Sequence, residues 1–373
     1  MSRVRTALEE LARSHGVVYQ AAQPGYPQNF TRDSLTYGLL AGDVLALKAQ
    51  IEYSAERQGR EYNPQTGEEP GKIHHEWPGV TMRGLQTTYN ACDTTALFLQ
   101  SIARMVRQGH DRLLDTHRNH IERGLKYITS HLVDSIFYED PEQCGAERFA
   151  LKVTYWKDSE LQTAEKEPIY PIAYSLVHFQ NKAAVQEMGH VLERKDLEDL
   201  AERMTRRGVE EFWAEDHFVV AKEGSGRVID PVSSDSLHTL LYLEPHEIAD
   251  KYPIKIIEYS RQLATQRGYL PVLDNRKGRD PYHTDYIWVH EQALLHAAAR
   301  RHRLAEAETV AARIIPILEA GFPELANPRK NFAHAGNPTQ LWAIGAHLYF
   351  ERLKVEIILG SQIGAAHEDE ETS

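Results

Sequence analysis

Residues Ile172 to Trp213 read IAYSLVHFQNKAAVQEMGHVLERKDLEDLAERMTRRGVEEFW. In both halves of this stretch, Ile172 to Leu192 and Leu197 to Trp213, apolar residues recur three and four positions apart, the spacing of one helix face. The same period returns at Val4 to Ala12, Leu35 to Ala55, Thr94 to Val106, Leu113 to Leu132, Ile254 to Gln266, Trp288 to Arg301, Ala305 to Ala320 and Thr339 to Leu353. With Ser234 to Leu243 added, the pattern predicts about eleven helices. Glycine and proline fall between them, at Gly79, Gly84, Pro141, Pro168, Pro245, Gly268, Pro271, Pro328 and Pro338, where they break helices.

Strand signals are sparse. His217 to Lys222, Gly224-Ser225-Gly226 and Arg227 to Asp230 read together as one hairpin. No GxGxxG or GxxxxGK[ST] phosphate loop occurs, and no strand-helix alternation argues for a parallel sheet. The predicted fold is all-α: a toroid of two concentric helix rings with long structured loops on alternate connections and one short hairpin. A repeat solenoid is the structural rival, and no fixed-period self-similarity supports it. Residues 1–362 are expected to form a single domain. Residues 363–373 end in His-Glu-Asp-Glu-Glu-Thr-Ser and read as an acidic, disordered tail.

The 373 residues are 42% hydrophobic and 26% charged, with a formal net charge of −12. That balance suits a globular core and argues against a nucleic-acid partner, which would call for a basic stripe. Two cysteines, Cys92 and Cys144, make no disulfide framework. The charged start of the chain does not read as a secretory signal, and no apolar run approaches the roughly 18 to 20 residues of a membrane span. The expectation is a soluble cytoplasmic protein, so the sequon at Asn29-Phe30-Thr31 carries no weight. Oligomeric state is left open.

Acidic residues recur where helical stretches break, beside aromatic residues or arginine: Arg32-Asp33, Glu76-Trp77, Tyr155-Trp156-Lys157-Asp158, Trp288 near Glu291, and Phe322-Pro323-Glu324. Sugars offer apolar faces to rings and hydroxyls to carboxylates, and glycosidic chemistry runs on two acids. Asp158 is the first candidate: beside Trp156 in a closed pocket it would lose hydration, which raises a carboxyl pKa toward that of a general acid. It reads equally as a turn residue. Glu324 is its proposed partner, able to face it only if a closed ring joins distant loops; alone it reads as a surface residue after a proline turn. Thr31 is a candidate N-cap, with Arg32 and Asp33 in the first turn able to clamp neighbouring hydroxyls. Asp93 sits close to another helix start.

No metal or cofactor is expected. Adjacent His74 and His75 diverge, and His296 is rotated by roughly 240° from His290 on a helix, so these cannot share a face as the two histidines of HExxH do. Without a GxSxG elbow, nucleophilic acyl transfer has no support.

Taken in order, these segments resemble the catalytic domain of bacterial amylo-α-1,6-glucosidases, the glucosidase part of glycogen-debranching proteins, and more distantly glucoamylases and glycoside hydrolase family 63. Phe30-Thr31-Arg32-Asp33-Ser34 is similar to that group's aromatic-x-Arg-Asp-Ser. Glu69 to Glu76 resembles Glu-Pro-Gly-Lys-Ile-x-His-Glu, and Tyr89 to Phe98 resembles Tyr-x-x-x-Asp-x-Thr-x-Leu-Phe. Trp156 to Ser159, Tyr282 to Trp288, Pro323-Glu324-Leu325 and Asn337 to Ala343 continue the match, which runs from about residue 28 to 350.

The resemblance implies an (α/α)6 barrel and an inverting glycosidase, an α-glucosidase acting on a terminal sugar. Asp158 would be its general acid and Glu324 its general base. Arg32, Asp33, Glu76, Asp93 and Trp288 would bind the sugar. Lys72, His75, Trp156, Glu291 and Gln340 join them as candidate substrate contacts, with Glu291 the nearest alternative to Glu324 as base. Ser233 to His238 departs from the usual Ser-Asn-Pro-Gly-His, Val289-His290-Glu291 replaces Trp-Pro-His-Asp, and Trp77-Pro78 stands where an arginine is usual. These departures, and the lack of a large N-terminal β-rich region, favour a small glucoside or oligosaccharide at least as much as a branched α-1,6-glucan. The rivals are an epimerase, lyase or phosphorylase on the same toroid, which histidine bases would serve, and a non-catalytic carbohydrate-binding protein.

Overall fold

A computed structural model describes residues 2–12, 18–330 and 334–354; the expected acidic tail at 363–373 lies outside the described residues. The chain is rich in helix: α1 (Ser2–Ala12), α2 (Thr31–Ala41), α3 (Val44–Glu56), α4 (Thr94–Arg107), α5 (Arg112–Thr116), α6 (Arg118–Ser130), α7 (Ser175–Leu192), α8 (Lys195–Phe212), α9 (Asp235–Thr239), α10 (Lys251–Ser260), α11 (Val289–Arg301), α12 (Glu306–Ala320) and a helical run at 341–354.

Burial sorts these helices into two layers. In α4 and α7 nearly every side of the helix is buried, including polar Gln100, Ser101, Asn181 and Lys182, as expected of a helix surrounded by protein. The outer helix α8 buries one stripe, Leu197, Ala201, Met204, Thr205, Gly208 and Phe212, and α6 buries a similar one. The inner helices follow one another: α2 packs on α4, α4 on α7, α7 on α9 and α9 on α11, while α3, α6, α8, α10 and α12 each back the inner helix that precedes them. The run at 341–354 returns to the start. His296 of α11 hydrogen bonds the Tyr349 hydroxyl at 2.8 Å. On the other side, Arg352 donates to the Leu40 carbonyl of α2 at 3.1 Å. A Cβ on Gly345 would stand 2.9 Å from the Tyr37 Cα, so glycine sets how closely the two helices approach. Behind that run, Ala7 and Leu11 of α1 share an apolar cluster with Phe350 and Leu353.

Four expectations need correction. Thr31, the expected N-cap, is the first residue of α2; Phe30 holds the cap position, with no side-chain capping bond. The predicted helix Leu35 to Ala55 is two helices: Gly42 ends α2 in a left-handed conformation and the Asp43 side chain caps α3 by accepting from the Ala46 amide at 3.0 Å, the pairing of Gly stop and Asp start that favours a corner. Leu113 to Leu132 likewise divides at His117 into α5 and α6. The expected single hairpin is present as Ala221–Glu223 against Val228–Ile229, but Ile172–Tyr174 adds a third strand, and further small sheets occur.

Those further sheets matter for the site, because short strands run directly into inner helices. Asn29–Phe30 pairs with Glu76–Trp77 before α2, and Ile287–Trp288 pairs with Leu325–Ala326 before α11. Ala22–Gln23 pairs with Thr339–Gln340 before the run at 341–354. Each pins the first turn of an inner helix to a neighbouring loop.

Candidate active site

The loop carrying Asp158 is tied down by the residue before it. Lys157 is buried and donates to Ser233 Oγ at 2.7 Å, Ser234 Oγ at 3.0 Å and the Pro271 carbonyl at 2.9 Å, with Asp235 at 2.8 Å as its counter-ion. Tyr155 donates to the other oxygen of Asp235 at 2.9 Å. The segment Ser233 to Asp235, one of the departures from the resembled pattern, therefore holds the acid loop.

Asp158 itself keeps 27% of its side chain exposed and lies 3.4 Å from Arg32 Nη1. Its pKa is pushed up to about 6: burial raises it, the Arg32 cation opposes that rise, and the Asp93 charge adds to it. Arg32 grips Asp93 through Nε at 2.8 Å and Nη2 at 3.1 Å, the two-pronged geometry of a strong guanidinium-carboxylate pair.

Glu324 arrives from the other side of the ring. One oxygen accepts from the Asn337 amide and side chain, both at 2.8 Å, and the other from the Tyr282 hydroxyl. Gly336, with φ of 66°, gives Glu324 room: a Cβ there would lie 2.5 Å from its Oε2. Tyr282 also meets the Tyr26 hydroxyl at 3.1 Å, and burial beside Glu324 keeps its phenol protonated.

Asp158 and Glu324 line one cavity of about 70 Å³. Arg32, Asp33 and Gln340 line it too, with the Gln340 amide donating to Asp33 at 2.9 Å. Burial raises the Asp33 pKa well above the usual carboxylate range, against the pull of Arg32. Trp156, Trp288 and Trp342 form aromatic walls, meeting edge to face with ring centres 5.8 Å apart for Trp156 and Trp288 and 5.6 Å for Trp288 and Trp342. Rings, donors and carboxylates in one small space are what a sugar's faces and hydroxyls match.

Other sequence candidates stand farther back. His75 approaches Asp158 to 3.9 Å, but burial and Arg32 hold its pKa well below the usual value, so it is a neutral imidazole there. Glu76 bonds Thr87, and burial raises its pKa to about 7. Asp93 serves the cavity through Arg32. Lys72 is not brought to the cavity: it is fully buried between Glu69 at 3.2 Å and Glu139 at 3.1 Å, and His131 caps Glu69 at 2.8 Å. Glu291 is also outside the cavity lining; it bonds Ser234, and burial lifts its pKa to about 7 against the nearby Lys157 charge.

Tyr26, Trp342, Asn337 and the anchoring role of Lys157 were not among the sequence candidates. Asn337 and Trp342 lie within the matched stretch Asn337 to Ala343 and Lys157 within Trp156 to Ser159, whereas Tyr26 offered only a ring at a turn, in Gly25-Tyr26-Pro27. Among the described residues no group of three or more His, Cys, Asp or Glu side chains is placed to hold a metal ion, and no helix is long and apolar enough to cross a membrane.

No protein-family model and no curated protein sequence matches this chain. Solved structures do. The GH63 mannosylglycerate hydrolase from Thermus thermophilus, in complex with Tris, superposes with a TM-score of 0.67 at 13% identity, over 94% of this chain and 99% of that one. A glycosidase in which one glutamate is replaced by alanine gives 0.63 at 14% identity, over 93% and 94%. A rhamnosidase from Klebsiella oxytoca with rhamnose bound gives 0.58 at 11% identity, over 94% of this chain and 63% of that one. At such low identity the likeness speaks to fold, and the chain shares the fold of these glycosidases, consistent with a helical toroid.

Proposed function

We propose that this protein is a glycoside hydrolase that releases a terminal α-linked sugar with inversion, built on a single (α/α)6 barrel domain and working in the cytoplasm. The observation that carries the reading is that Asp158 and Glu324, far apart in sequence, line one small cavity walled by tryptophans. Asp158, with its pKa raised to about 6, gives its proton to the glycosidic oxygen as the bond to the anomeric carbon breaks. Glu324 takes a proton from the water that attacks that carbon from the opposite face, the division of labour of inverting enzymes. Arg32, Asp33 and Gln340 hold hydroxyls, and Trp156 and Trp288 cover the ring. Glu291, which does not line that cavity, is the weaker candidate for the base.

A cavity of about 70 Å³ favours one sugar ring over a polymer, and the name of the mannosylglycerate hydrolase supports a small glycoside over a branched glucan. We take an α-glucoside of a small aglycone as the first substrate to try.

The test is product analysis by NMR across α-linked disaccharides, glucosyl and mannosyl hydroxy acids and malto-oligosaccharides. The expected product is free sugar of inverted anomeric configuration, with Asp158→Asn and Glu324→Gln folded and inactive. Retained configuration, a sugar phosphate, an unsaturated sugar or an epimer would point to other chemistry, and full activity in either variant would sink the assignment.

A further inference from the structure

The cavity of Asp158 and Glu324 shares three lining residues, Arg32, Trp156 and Trp342, with a second cavity of about 280 Å³. Along α4 this second cavity touches Asp93 at its N-cap, then Leu97, Gln100 and Arg104, and on α11 it touches His290, Leu294, Ala297 and Arg301. Steps of three and four residues follow one face of each helix. From His290 to Arg301 they cover about three turns, or ~16 Å at the rise of an α-helix. The cavity is therefore the lumen of the inner helices. It leads from their N-terminal ends, where the candidate catalytic groups stand, to their C-terminal ends.

Leucines make up much of the wall, yet polar groups recur along it. Arg104 and Arg301 mark the outer end, and Gln100, Gln180 and Tyr242 lie midway. His238 and His290 lie at the inner end, both buried. Both ring nitrogens of His238, Nδ1 of His290 and the indole nitrogens of Trp156 and Trp342 are buried without a hydrogen-bond partner. Arginines in the last turn of helices are explained by the negative end of the helix dipole. Unpaired nitrogens gathered at one end of a cavity are not, because interiors leave few buried polar groups unsatisfied. Water is the usual partner in a polar cavity of this size.

We infer that the lumen is a water conduit that supplies the catalytic pocket from behind. The inference rests on the hydrolase reading. Each turnover consumes one water: its oxygen bonds the anomeric carbon, one of its protons goes to Glu324, and the departing oxygen takes the proton of Asp158. A sugar lying against Trp156 and Trp288, beneath the Tyr26-Tyr282 contact, obstructs the front. Replacement water then enters between Arg32, Trp156 and Trp342.

The experiment pairs a high-resolution crystal structure of the wild type, with and without xenon pressure, with steady-state kinetics of Ala297→Phe and Leu294→Phe. Ala297→Ser serves as the control. The expected result is a file of ordered water touching His238 and the two indole nitrogens. The plugged variants keep the wild-type KM and lose kcat severalfold, and Ala297→Ser keeps both. An active wild type whose lumen takes up xenon and no water overturns the conduit alone. So does a plugged variant, shown filled in its own crystal structure, with unchanged kcat. A wild type that cleaves no glycoside sinks the hydrolase reading and the supply role together. Should either phenylalanine variant fail to fold, the other and the wild-type crystal still decide.

Discussion

At the scale of single residues, the site turns on how differently two carboxyls are held. Glu324 is filled with donors, from Asn337 and Tyr282, whereas Asp158 has one cation at 3.4 Å and an opening to solvent. The proposed proton donor must start protonated, so activity is expected to fall as pH rises through about 6, the value to which burial lifts Asp158. Stability follows the same sign. The folded pKa lies above that of about 3.9 for an unfolded aspartate. The contribution of Asp158 to stability is thus whole below that value and lost as pH rises through the folded one. Asp158→Asn cannot ionise and escapes that loss. It should be inactive yet gain in Tm relative to wild type on going from pH 5 to pH 8, as thermal melts at the two pH values will read. A constant difference would mean that Asp158 titrates normally. That Asp158 and Glu324 line one cavity agrees with the sequence reading, which singled out each from a short run with its own aromatic or proline neighbour. Tyr26 was not singled out, since it acts through Tyr282, 256 positions away in the chain.

At the scale of elements, the lesson of the sequence is about which way a residue faces. Glu69 to Glu76 reads as one functional stretch, yet its members divide: His75 and Glu76 reach toward the cavity, and Lys72 turns into a buried cluster with Glu69, Glu139 and His131. A linear motif does not carry that division. It arises where Gly71, with φ of 95°, turns the chain so tightly against the Arg123 carbonyl that a Cβ would collide with it. Removing one partner of a buried ion pair strands the other, at about 3 to 5 kcal/mol. Lys72→Met should therefore lower stability by about that much in urea unfolding, while the folded fraction keeps its KM. A raised KM with intact stability would return Lys72 to the substrate. The helices that periodicity starts at Ile172, Trp288 and Thr339 begin slightly later, at Ser175, Val289 and Leu341, because two- or three-residue strands show no alternation to read. Those strands aim the first-turn residues of α7, α11 and the run at 341–354.

At the scale of the whole molecule, the approximate helix count was visible in periodicity alone, whereas the two layers show only in burial: α4 and α7 are buried on nearly every side, polar residues included, and α8 on one stripe. Closure of the ring, expected from the toroid reading, rests on contacts that leave no local signature in the sequence. Where the run at 341–354 meets α2, the contacts join residues separated by 312 positions in Arg352 to Leu40 and by 307 in Gln340 to Asp33. Elsewhere in the ring the separations are shorter, 61 positions in Arg32 to Asp93 and 80 in Gln100 to Gln180. Contacts across long separations cost the most loop entropy to form, and regions held by fewer contacts open below the global unfolding free energy. This seam is therefore expected to open first, and the Gln340-Asp33 bond of the candidate pocket lies on it. In a urea titration, activity should disappear at a lower midpoint than helical circular dichroism; coincident midpoints would show a seam as strong as the rest. Such a fold fails by a gap opening beside its candidate site while most of its helices still stand.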